Sequence, residues 1–234
     1  MSVSEIQNEV AIKLDKVRAD LKRVLALGNS CLTCSFQAED VLLTRLAVDI
    51  DPGLPILFLE TGYHFKETLE YRDRIAAAWG LNLINLEAAK SVAEQEAEFG
   101  LLYRSAPDQC CKLRKVEPLF KAVANYDVWL TGLRREQARS RTALEEEAPF
   151  ALPGGKSVLK LAPLANWSTK DVWYATEALG IERLSLYEKG YTSIGCEVCT
   201  TIPLDPNDPR SGRWGGQKVE CGIHIEAAAN NGQG

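Results

Sequence analysis

The chain runs to 234 residues, 46% of them hydrophobic and 25% charged, with a formal net charge of −5. That is enough for one large domain, or one domain with an appended segment, in an ordinary soluble globular protein. The acidic balance argues against a general nucleic-acid surface, and no apolar run approaches the roughly 20 residues needed to cross a bilayer.

Residues 4–27 read as an amphipathic helix, since Ile6, Val10, Leu14, Val17, Leu21, Val24 and Leu25 recur at helical spacing. The segment is charged throughout and has no apolar h-region, so no secretory leader is expected and a cytoplasmic location is. A rhythm of short strands and longer helices follows. Ser30–Cys34 reads as a strand, with a helix from about Ala38 to Ile50 after it. Leu54–Leu59 is a second strand, bounded by Pro52-Gly53 and Thr61-Gly62. His64–Trp79 is helical, ended by Gly80, and Leu81–Leu86 is a third strand. Residues 108–124 are helical, Asp127–Leu130 is a fourth strand and Ser157–Leu161 a fifth. Ser168 and Thr169 cap a helix through Leu179, with Asp171 in its first turn and Gly180 closing it. After about Thr192 the periodicity stops, and a mobile tail rich in Gly, Pro, Asp and Arg is expected.

Such alternation predicts an α/β fold with a mostly parallel sheet covered on both faces. Ligands of these sheets bind beyond the C-terminal strand ends, which directs attention to three loops. Ser35-Phe36-Gln37-Ala38-Glu39-Asp40 opens a helix, so its amides and the Ser35 hydroxyl make a candidate anion seat; a plain strand-to-helix turn is the alternative. Leu59-Glu60-Thr61-Gly62 permits close backbone approach to a ligand. The third loop, Thr131–Arg141, carries four arginines, Arg134 and Arg135 among them. Arg210, Arg213 and Lys218 form a second basic patch. Cation clusters in an acidic chain point to a compact anionic ligand, against the alternative of a solvated, ion-paired face.

Seven cysteines are an odd number, and a reducing compartment disfavours disulfides. Cys196-x-x-Cys199 is a common ligand pair for zinc or iron–sulfur centres, and Cys110-Cys111 is its natural partner. Adjacent helical residues point about 100° apart, which suits a four-iron cluster better than one zinc ion; buried thiols without metal are the third option. Lys115 lies one helical turn beyond Cys111, close to whatever the thiols hold. Cys221 follows the basic patch, where a thiolate bound by no metal is nucleophilic; the alternative is an exposed tail cysteine. Cys31 and Cys34 read as core strand residues.

SFQAED, FLETGYHFKETLEYRD, CCKLRKVEPL, WLTGLRREQARSR, GCEVCT and ECGIH together span most of residues 30–224. In combination they resemble the sulfonucleotide reductases, specifically the iron–sulfur adenylyl-sulfate reductases of assimilatory sulfate reduction. The resemblance implies an adenine-nucleotide α-hydrolase-like fold. It divides the chain into an N-terminal helix (1–27), a nucleotide-binding α/β domain (28–191) and a cluster-binding, catalytic C-terminal segment (192–234). It further implies one 4Fe-4S cluster on Cys110, Cys111, Cys196 and Cys199, with Cys221 as nucleophile. Substrate contacts would come from Ser35, Phe36, Gln37, Leu59, Thr61, Gly62, Lys115, Arg134, Arg135, Arg210 and Arg213. The implied partners are adenylyl sulfate and an external thioredoxin- or glutaredoxin-type reductant, with no nucleic acid and no membrane; a homo-oligomer is allowed. Relatives reducing the 3′-phosphorylated nucleotide typically lack the cluster cysteines, so adenylyl sulfate is the expected substrate. Certain cluster-bearing members accept both, so reduction of the 3′-phosphorylated nucleotide, alone or together with adenylyl sulfate, is the alternative. A non-catalytic, metal-stabilised nucleotide-binding protein is the rival reading. Many relatives carry a small residue where this chain has Gln37.

Overall fold

The computed structural model describes residues 3–205, 208–216 and 223. In chain order the elements begin with α1 (Val3–Leu25), β1 (Ser30–Thr33), α2 (Ala38–Val48), β2 (Pro55–Glu60), α3 (Lys66–Trp79) and β3 (Asn82–Glu87). Three helices follow, α4 (Val92–Phe99), α5 (Leu102–Ser105) and α6 (Pro107–Cys111), the last running through a π-helical turn, Lys112–Val116, into α7 (Glu117–Val123). The chain then forms β4 (Val128–Thr131), β5 (Glu147–Ala151), β6 (Ser157–Leu161) and α8 (Thr169–Ala178).

The strands make one six-stranded sheet in the order β3-β2-β1-β4-β6-β5, parallel except for β5. This is the expected α/β architecture, with one unforeseen edge strand. Pro149 in β5 removes a ladder donor, which confines such a strand to an edge. From β1 the order runs outward to β2 and β3, and from β4 outward the other way to β6 and β5. The reversal between β1 and β4 leaves a crevice between the loops that follow them.

Apolar layers cover both faces. On one, Val10, Leu14, Val17, Leu21 and Val24 of α1 pack with α2, Leu32 and Ile56. On the other, Leu119 and Val123 of α7 pack on Cys31, Leu57 and Trp129. The period of two sends Cys31 to one layer and Leu32 to the other. Cys31 and Cys34 are core residues as expected; burial pushes the Cys31 thiol up to about 12 and raises Cys34 as well, so neither is a reactive thiolate. The Ser168/Asp171 capping box is present on α8, and α3 ends on Gly80 at φ 62°, the left-handed stop its glycine permits. Among the described residues no helix is long and apolar enough to cross a membrane.

Candidate active site

A cavity of about 650 Å³ opens where the strands end, walled by residues following β1, β2 and β4 and by the 187–214 region. Its size suits a nucleotide-sized ligand. In the first loop, Ser35 and Gln37 face it. Phe36 does not. Its backbone is left-handed (φ 59°) and its ring is fully buried, edge-on to Phe58 at 5.7 Å and to Tyr71 at 6.4 Å. A bulky residue held at positive φ is strained, and the two aromatic contacts hold it there. Phe36 therefore anchors the turn from below.

Several donors of the candidate anion seat on this loop are used internally. The Ser35 amide donates to Asp40 Oδ2 at 2.8 Å, the Phe36 amide to Cys34 Sγ at 3.4 Å and the Ala38 amide to Tyr187 Oη at 3.0 Å. Glu39 and Asp40 add negative charge to the first turn of α2. The Gln37 carboxamide is also occupied, accepting the Ile194 amide at 2.8 Å and so joining this loop to the C-terminal region.

Leu59 and Thr61 of the second loop lie on the wall, whereas Gly62 lies behind it. At Gly62 (φ 73°) a Cβ would meet Val92 Cγ2 at 2.5 Å and Arg114 Nη2 at 3.2 Å. The glycine serves the packing of buried Arg114, whose Nε donates to the Thr61 carbonyl and whose Nη1 reaches Gln95 Oε1 at 3.2 Å. In the third loop, Arg134 reaches the cavity and is held by the Trp167 carbonyl and Thr169 Oγ1, both at 3.2 Å. Its buried Nε has no hydrogen-bond partner among the described residues. Arg135 turns away instead, donating to the Leu144 carbonyl at 2.8 Å and to Asn166.

Lys115, Arg210 and Arg213 bring the positive charge. Both arginines donate to Ser193 Oγ, at 3.3 and 3.2 Å, and the Arg213 guanidinium lies 4.6 Å from the Trp214 ring centre. Cys221 lies outside the described residues, as do Lys218 and His224. Ile223, two positions beyond Cys221, is on the cavity wall and packs on the Leu119–Trp129 layer.

The remaining four clustered cysteines line a second, smaller void together with Arg114, Lys115 and Trp214. Cys110, Cys111 and Cys196 are buried. Burial first, then the neighbouring thiols of Cys111 and Cys196, raise Cys110; burial pushes Cys199 up to about 11. Thiols so disposed need a bound metal to deprotonate them at neutral pH. Thr61 Oγ1 stands 3.3 Å from Cys196 Sγ. No three His, Cys, Asp or Glu side chains among the described residues are arranged as ligands of a single ion. The straight helix expected over 108–124 is interrupted, since residues 112–116 widen into a π turn, a departure that favours functional sites. Lys115 therefore reaches its place by this turn rather than by simple α-helical spacing. Lys115, Cys196 and Trp214 belong to the walls of both voids, so the two voids adjoin.

Residues 29–202 match the phosphoadenosine phosphosulfate reductase domain. The chain belongs to that family. It is 43% identical over 199 residues to the adenosine 5′-phosphosulfate reductase of Rhodococcus opacus, covering 84% of this chain and 78% of that one. The fold is similar to that of phosphoadenylyl-sulfate reductase from Candida auris, with a TM-score of 0.67 at 23% identity over 86% of this chain and 98% of that one. It also resembles Candida glabrata FMN adenylyltransferase, with a TM-score of 0.64 at 14% identity over 88% and 70% of the two chains. The family is one of oxidoreductases, and the fold is the adenine-nucleotide α-hydrolase-like one expected.

Sequence reasoning passed over Asp40, Ser193, Arg114 and Gln95. Asp40 stood inside a quoted motif, but its meaning depends on Gly132, 92 positions away.

Proposed function

We propose that this protein reduces adenylyl sulfate to sulfite and AMP by a thiol-dependent route. The carrying observation is the shared wall: Lys115, Cys196 and Trp214 join a nucleotide-sized cavity to a void lined by four cysteines. Support comes also from the relatives named for this activity and from Ile223, two positions beyond Cys221, which lies on the cavity wall.

In this reading the Cys221 thiolate attacks the sulfuryl sulfur, the sulfur–oxygen bond to the phosphate breaks, and AMP leaves with the electron pair. A cysteine thiosulfonate remains. A thiol of a thioredoxin- or glutaredoxin-type partner then attacks the Cys221 sulfur, releases sulfite and forms a mixed disulfide, which the partner's second thiol resolves. The two electrons come from that dithiol. Arg210, Arg213 and Lys115 hold the anionic oxygens and offset their repulsion of the thiolate. Ser35, Gln37, Leu59, Thr61 and Arg134 contact the rest of the nucleotide.

The four cysteines suit one 4Fe-4S cluster: they share a single void without being arranged around one ion, and two are adjacent in sequence. Bound there, the cluster supplies fixed charge beside the substrate site and rigidifies the wall that holds Lys115. Cys221→Ser is expected to abolish sulfite formation while the brown cluster absorbance and its iron and sulfide content persist. An active Cys221→Ser enzyme would overturn the nucleophile, and one zinc with no sulfide would overturn the cluster. Comparing kcat/KM for adenylyl sulfate and its 3′-phosphorylated form tests the substrate, and equal values would remove the preference for adenylyl sulfate.

A further inference from the structure

The loops after β1 and β4 part where the strand order reverses, and one side chain spans the gap. Asp40 of α2 accepts the Ser35 amide at 2.8 Å and the Ser35 hydroxyl from the first loop, and its carboxylate lies against Gly132 of the loop after β4. The approach is close. A Cβ at Gly132 would stand 2.2 Å from Asp40 Oδ1 and 3.1 Å from its backbone nitrogen. Closeness, rather than an unusual backbone angle, is what calls for glycine there. Asp40, Ser35 and Gly132 all lie on the cavity wall.

We propose that Asp40 is a positioning residue that ties the loops after β1 and β4 into a single nucleotide-binding wall. The inference rests on the reading that the cavity takes an adenine nucleotide. Two Ser35 donors converge on the carboxylate and the Gly132 backbone closes on its other side, so the ionised form makes the tie, whereas a protonated carboxyl would present its own hydrogen to donors.

A pH dependence follows. Burial first, then the charge of Glu39, pushes Asp40 up to about 6. The other titratable groups facing it are Cys34 beside the first loop and Tyr187 from the 185–187 turn, both held protonated by burial. Glu39 accepts from Gln137 Nε2. With the folded value near 6, the tie is complete above that pH and is lost as pH falls through it.

The test measures AMP affinity by calorimetry from pH 5.5 to 8 on anaerobically purified enzyme, comparing wild type with Asp40→Asn and Gly132→Ala. The phosphate of AMP titrates in the same range, so the readout is the ratio of variant to wild-type Kd, in which that ionisation cancels. For Asp40→Asn the ratio should be about ten or more at pH 8 and fall towards one by pH 5.5. Cluster absorbance and circular dichroism should be unchanged. If Asp40→Asn does not fold, Gly132→Ala displaces the same carboxylate from the other loop and should weaken binding at pH 8. A ratio near one at pH 8, or one constant across the range, overturns the inference. A wild-type enzyme that does not bind AMP overturns the nucleotide reading itself.

Discussion

Gly195 offers a way to move a cation of the cavity wall, proposed to bind substrate, without replacing it. An ideal Cβ at this position would lie 2.1 Å from Arg213 Nη2 and 2.7 Å from Cζ. Ordinary contact begins near 3.4 Å, so Gly195→Ala must displace the guanidinium by roughly 1.3 Å, the difference between those two distances. Gly195 has no left-handed backbone angle, so alanine itself is tolerated there and folding should be little affected. Arg213 is 6% exposed and bonded to Ser193 Oγ, which leaves the displaced group few alternatives. A misplacement of about 1 Å can cost on the order of 100-fold, and losing one hydrogen bond to a charged group costs about 1.5–3 kcal/mol. Both routes give a fall in kcat/KM of roughly 10- to 150-fold. The assay is steady-state sulfite release by Gly195→Ala, Arg213→Met and the double variant. If the methyl acts through the guanidinium, adding it to Arg213→Met should cost under about threefold, the signature of coupled sites. Wild-type kinetics in Gly195→Ala, or additive losses in the double variant, would refute the reasoning.

Two further variants separate scaffold from chemistry. Ser168→Ala removes the reciprocal cap with Asp171 at the start of α8 and should cost about 1 kcal/mol, read as a Tm lower by about 2–4 °C, with sulfite formation at 25 °C unchanged. Lys115→Met keeps the aliphatic stem but removes the charge from the wall shared by the two voids; kcat/KM should fall at least about 100-fold with iron content retained, and loss of iron instead would make Lys115 a support for the cysteines.

The parallel sheet was legible because β1, β2 and β4 are buried on both faces, and such strands appear as continuous apolar runs. Helix α4 was equally legible in principle: Ser91 and Glu94 form a capping box and Gly100 closes the helix, but its half-exposed, acidic surface gives a weak apolar stripe. The β5 strand was not legible, since Pro149 and a mostly exposed pattern argue against a strand until β6 supplies its partner. At the site, short-range features read well, namely the cysteine pairs and the cationic patches. What could not be read was direction. Arg134 and Arg135 are neighbours in sequence, yet one faces the cavity and the other the Leu144–Asn166 side. Likewise, nothing local to Ser35 shows that its donors are spent on Asp40.

The occupied Ser35 donors also bear on how the proposed substrate would lie. A strand-to-helix loop at the end of a parallel strand normally invites a phosphate, because free amides and the helix dipole favour an anion. Here the Ser35, Phe36 and Ala38 amides are occupied and two carboxylates, Glu39 and Asp40, stand in the first turn. Unit charges about 4 Å apart interact by about 4 kcal/mol at the effective dielectric of a protein surface, so an anionic group placed there would be repelled by a comparable amount. Lys115, Arg210 and Arg213 attract it elsewhere on the same wall, in the company of Cys196. Each set acts on a nucleotide in the same sense, the carboxylates by exclusion and the cations by attraction. In the proposed reading the uncharged adenosine is therefore left to the first loop, and the sulfuryl group is drawn to the cations on the wall that Ile223 also lines.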